Sequence, residues 1–114
     1  MTKKQIEAVL ESEGWSYTWG VGCYDNKYLE ISSYSPAGQD LSLDIDYKSF
    51  SDVLGMVNYH YENYDPSAEA YLWLDETGHG KNGAPYDMID VYNDMVACKA
   101  MIKKLYEALK KVGD

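Results

Sequence analysis

Arginine is missing from this 114-residue chain: all 10 basic side chains are lysines, set against 19 acids for a formal charge of −9. The planar guanidinium fork is the side chain best matched to phosphate and to guanine, and a net-negative domain repels a polyanion. Direct nucleic-acid binding is disfavoured on both counts, and an anionic membrane surface on the second. A basic protein surface is the partner such a field attracts.

Cysteine and histidine are scarce as well. Cys23 and Cys98 lie too far apart for a CxxC metal or redox motif, so the expectation is two reduced, buried thiols. His60 and His79 have no second ligand at zinc spacing, and no HExxH motif occurs. No apolar run is long enough to span a membrane, and Glu7 interrupts the N-terminal segment before a signal-peptide core forms. The expected compartment is the cytoplasm. Phenylalanine is reduced to a single residue, whereas tyrosine supplies 12 of the aromatic side chains. Tyr17, Tyr47 and Tyr61 are expected in the core; elsewhere tyrosine suits an interface, where its ring is buried and its hydroxyl stays bonded.

With 46% apolar and 25% charged residues, the composition is that of a globular protein, and the length suits one domain, residues 1–114. Thr2 and Gln5 form a capping box ahead of helical spacing at Ile6, Val9 and Leu10, which predicts a helix over 3–12. From Trp15 the period falls to two, with Trp15, Tyr17, Trp19, Val21 and Cys23 on the inner side of a first strand. A second strand over 28–34 and a third over 40–47 follow, separated by the turn residues of SPAG.

Helical spacing returns over 50–63, with Ser49 and Asp52 as a cap pair. Asp65 and Pro66 start a short helix, although AYLWL also reads as a strand. A mobile glycine-capped loop is expected over 75–85, then one long helix from Tyr86 to Val112 whose apolar residues fall three and four apart. The order α-β-β-β-α-α-α predicts an α+β fold: a small three-stranded antiparallel sheet with helices on one face, the other face left to solvent or a partner.

No motif carries catalysis. TGHGKNG lacks the spacing of a phosphate loop, and a calcium loop started at Asp75 puts His79 and Tyr86 where acids are needed. None of the serines sits in GxSxG. The reading is a non-enzymatic protein with no catalytic residue, no metal and no cofactor.

What the sequence does offer is an acidic strand face. Leu41, Leu43, Ile45 and Tyr47 point inward in the third strand, leaving Asp40, Ser42, Asp44 and Asp46 outward. Residues two apart lie ~6.7 Å apart along a strand, so neighbouring aspartates repel and contribute nothing to the fold. Tyr28, Glu30 and Tyr34 share the outward side of the second strand, and Asp87, Asp90 and Asp94 form a second acidic stripe on the last helix. These nine residues are the expected partner-binding surface. The bland alternative is solubility plus protection of a sheet edge.

Through YSPAGQD, YDPSAEAYLWL and GHGKNGAPYDM, spread over residues 34 to 88, the chain resembles small acidic proteins carried by phages, plasmids and integrative elements of Gram-positive bacteria. Some proteins of that kind are anti-CRISPR or anti-restriction inhibitors that occupy the nucleic-acid groove of a nuclease. The resemblance implies an inhibitor that docks on a basic host protein such as Cas9 or a restriction enzyme. A charge of only −9 and a lysine-rich last helix depart from a strong DNA mimic. The alternative is a phage or plasmid adaptor or assembly protein that forms a homodimer through the apolar stripe of its last helix.

Overall fold

The computed structural model describes residues 1–113. Its elements are α1 (Lys3–Ser12), β1 (Ser16–Val21), β2 (Lys27–Tyr34), β3 (Asp40–Asp46), α2 (Ser51–Asn63), α3 (Pro66–Leu72) and α4 (Met88–Gly113). The order is the expected α-β-β-β-α-α-α, and the α+β class holds.

Local chemistry sets the boundaries. At α1, Gln5 N–H donates to Thr2 Oγ1 (3.2 Å) and Thr2 N–H to Gln5 Oε1 (2.8 Å), a reciprocal capping box. Asp52 Oδ2 accepts from the amides of Lys48 (2.9 Å) and Ser49 (3.0 Å), closing the chain into α2. Asp65 caps α3 through the amides of Ser67 and Ala68, with Pro66 in the first turn, so the segment is helix rather than strand.

The sheet is antiparallel in the order β1-β2-β3. Its inner face buries Leu29 and Ile31 of β2 and Leu41, Leu43 and Ile45 of β3 against Ile6, Leu10, Val53, Val57 and the inner stripe of α4. Tyr17, Tyr47 and Tyr61 pack half-buried against this core. Tyr17 keeps its hydroxyl at the surface, where it donates to Glu11 Oε1 at 2.7 Å.

Four expectations are corrected. The first strand ends at Val21, because Tyr24 and Asp25 take left-handed backbone angles (φ 56° and 58°) in a short 3-10 turn that reverses the chain. Cys23 is therefore exposed, and of the two thiols only that of Cys98 is buried.

The second correction concerns the apolar stripe of α4. Val91, Met95, Cys98, Ile102, Leu105 and Leu109 are all buried, with Leu105 at 0% exposure. Most of the surface expected to meet a second copy thus lies in the core of the single chain, while Met88 and Val112 at its two ends stay exposed.

The third concerns the glycines of segment 75–85, a segment that closes several backbone hydrogen bonds. Asp75 N–H donates to His79 O (2.8 Å), Gly80 N–H to Tyr86 O (3.0 Å) and Lys81 N–H to Trp73 O (2.9 Å). The His79 ring stacks on Tyr86 with centroids 3.9 Å apart. A Cβ on Gly80 would come within 1.8 Å of Pro85 O, so this glycine serves the close packing of two backbone segments.

The fourth is Asp94, which is only 6% exposed. Its carboxylate accepts from Ser35 Oγ (2.5 Å) and from Ala37 N–H (3.0 Å), both in the turn between β2 and β3. It is a tether within the fold rather than a surface acid, since a buried carboxylate persists only where donors replace water.

Candidate functional site

The alternation of strand side chains and the strand register together build the outer sheet face in rows. Gly20, Tyr28 and Asp46 form one row; Thr18, Glu30 and Asp44 the next; Ser16, Ser32 and Ser42 the third. Beyond the end of β1, Tyr34 lies opposite Asp40. The face is thus a band of small hydroxyl side chains with acids along one side and a tyrosine toward each end.

Glu30, Asp40, Asp44 and Asp46 are all exposed. Glu30 and Asp44 are direct cross-strand partners, which brings their Cβ atoms to roughly 5 Å. Among the described residues the one ion pair is Lys104–Glu13 at 3.7 Å, so none of these four carboxylates is paired with a lysine. Asp46 accepts one weak bond, from Asn26 Nδ2 at 3.3 Å. On the far side of the edge, His60 Nε2 lies 2.8 Å from Asp44 O and holds α2 against β3.

Edge protection accounts for part of this pattern, because β3 is an edge strand and acids there discourage pairing with another chain. It does not account for Glu30, which stands on the central strand, directly across from another acid.

The two tyrosines differ. Tyr34 is 69% exposed. Tyr28 is half-buried because its ring lies over Gly20: a Cβ there would meet Tyr28 Cζ at 2.2 Å. The absence of a side chain on Gly20 lets the tyrosine cover the end of the sheet, a cross-strand arrangement that compensates for a strand glycine. Tyr28 serves the fold at this end of the face.

Asp87 and Asp90 remain exposed at the start of α4, within the helix layer, apart from the rows of the sheet. With Asp94 tied to the turn, the expected second stripe reduces to these two. Ser16 and Thr18 were not singled out from the sequence; with Ser32, Ser42, Glu30 and Asp44 they line a shallow hollow of about 320 Å³. It has room for a basic side chain to reach both carboxylates. Only the three-strand register brings these residues together.

Among the described residues, no three side chains of His, Cys, Asp or Glu converge as a metal-binding group, and no helix is long and apolar enough to cross a membrane. Comparison with protein-family models, with curated proteins and with solved structures finds no match for this chain.

Proposed function

We propose that the chain is a non-enzymatic binding protein that docks its open sheet face on a basic surface of another protein, and that this surface is the nucleic-acid groove of a host defence nuclease. The observation that carries the reading is the pairing of Glu30 with Asp44, two exposed carboxylates set face to face with no cation beside them. Like charges directly opposed destabilise a sheet. A lysine or arginine from a partner, entering the hydroxyl-lined hollow between the strands, reverses that penalty and gains charge-assisted hydrogen bonds.

The scale of the patch defines the kind of contact. Four acids along a seven-residue strand and its neighbour give about one charge per ~6 Å, against one per ~1.7 Å of duplex DNA. The face suits a few basic side chains in a groove rather than imitation of a length of duplex. Choice of a nuclease such as Cas9 or a restriction endonuclease rests on the resemblance of residues 34 to 88 to small acidic mobile-element proteins.

The test is competition: the chain is titrated into Cas9 and into a restriction endonuclease bound to labelled duplex, at two salt concentrations. Displacement of the duplex is expected, weakening as salt rises. Retention of the duplex by both nucleases at every concentration would show that the groove is not the target.

A further inference from the structure

A second surface of the opposite charge lies at the Tyr28 end of the sheet. Trp19, Tyr47 and Phe50 form an aromatic wall: Trp19 meets Tyr47 edge-on at 5.6 Å and Phe50 at 5.8 Å, while Tyr47 and Phe50 stack at 5.8 Å. Lys3, Lys27 and Lys48 line the same hollow, whose volume is about 390 Å³. They arrive from three separate segments. Lys3 opens α1 and sets its Nζ 5.1 Å from the Trp19 ring centroid. Lys27 opens β2, and its carbonyl accepts from Tyr47 N–H at 3.2 Å, which holds the Lys27 and Tyr47 backbones side by side. Lys48 follows directly on Tyr47.

This convergence runs against the composition. Residues 1 to 95 carry 17 acids and only five lysines, and three of those five line this one hollow. Two acids lie close to it and keep their charge: Glu7 Oε2 accepts from Trp19 Nε1 at 3.1 Å, and Asp52 accepts from the amides of Lys48 and Ser49. None of the three ammonium groups is in an ion pair.

An aromatic wall beside three lysines calls for a ligand that is planar at one end and multiply anionic at the other. A single carboxylate leaves most of the positive charge unanswered, whereas a phosphate carries close to two charges and accepts bonds on three oxygens. Lysine binds phosphate as a point charge, and aromatic side chains supply a stacking surface for a base. The hollow is within the size range of small-ligand sites. A polynucleotide is repelled by the −9 field of the whole chain, but a mononucleotide brings only the few charges that three lysines can answer.

We infer that the hollow between Lys3, Trp19, Lys27, Tyr47, Lys48 and Phe50 is a binding site for a single nucleotide, its base against the aromatic wall and its phosphate among the lysines. The site is independent of the acidic sheet face.

Isothermal titration calorimetry on the intact chain at low salt tests this with ADP, adenosine and inorganic phosphate as separate probes. Saturable ADP binding with a submillimolar dissociation constant is expected, with adenosine and phosphate each at least ~10-fold weaker, since each engages half the site. The double variant Lys27→Gln, Lys48→Gln, whose replaced side chains are exposed, should keep its melting temperature and lose ADP affinity by ~10-fold or more. Lys81→Gln, which removes the same charge elsewhere, should bind as the wild type does. Absence of ADP binding overturns the proposal, as does phosphate binding as tightly as ADP, or an equal loss in Lys81→Gln.

Discussion

The Asp94 carboxylate accepts a 2.5 Å hydrogen bond from the hydroxyl of Ser35, a residue 59 positions earlier in the chain. Ser35 Oγ in turn accepts from Gln39 N–H at 2.9 Å, so one buried relay ties α4 to the turn that sets the register of β2 and β3. The acidic face is displayed on those two strands, and its geometry therefore depends on an acid that belongs to the interior.

Replacing that acid tests the relay. Asp94→Ala leaves the buried Ser35 hydroxyl without its acceptor and removes the partner of Ala37 N–H, and should lower stability by about 1–3 kcal/mol, read from urea unfolding. A surface acid would change stability far less, so an unaltered unfolding midpoint would contradict the buried assignment.

Glu30→Lys should act in the opposite direction on the fold. It converts the Glu30–Asp44 pair from like to opposite charge across the strands and should raise stability by up to about 1 kcal/mol in low salt. The same substitution should weaken partner binding, so the variant is more stable and less functional. Thermal melts of the two chains at low and high salt check the first half, because the gain should shrink as salt screens it.

Leu105→Asp separates a core stripe from a dimer surface. Leu105 is 0% exposed within the single chain, so burying a carboxylate there should cost more than about 4 kcal/mol and unfold the domain. Circular dichroism should show loss of helix. A wild type that is dimeric by light scattering, with a variant that is folded and monomeric, would instead support pairing through this stripe.

The alkaline limit of stability should follow Cys98. Burial pushes its thiol up from 9.0 to about 11, with the nearby Asp94 charge adding to the effect. A folded value above the unfolded one means that the contribution is complete below pH 9 and is lost as pH rises through about 11. Burial raises the Tyr64 hydroxyl in the same direction. Melting temperatures should fall across that window in the wild type and fall less in Cys98→Val. A thiol reagent at neutral pH should modify one residue, the exposed Cys23, in the native chain and both thiols in denaturant.

Much of this fold was legible because its signals are local. The capping box at Thr2, the Asp65–Pro66 start of α3 and the two-residue alternation through Leu41, Leu43 and Ile45 each depend on neighbours within a few positions. The exposure of Asp40, Asp44 and Asp46 followed from that alternation alone. What escaped the sequence depends on contacts between distant segments. Asp94 reads as one more acid on a helix until the Ser35 turn is brought against it. Cys23 continues the strand period until two left-handed residues end it. Lys3, Lys27 and Lys48 have no pattern in sequence, since three different elements carry them to one hollow. The facing of Glu30 and Asp44 needed the register, which the turn sets and the relay through Asp94 secures.

The most direct test of the proposed docking face is the triple charge reversal Asp40→Lys, Asp44→Lys, Asp46→Lys, measured beside the wild type for inhibition of DNA binding by the proposed nuclease targets. All three side chains are exposed and Asp44→Lys places a lysine opposite Glu30, so the melting temperature should hold or rise. Inhibition should weaken on the order of 100-fold, as expected when several interfacial charges change sign. Equal inhibition by a folded triple variant would contradict the assignment of the open sheet face.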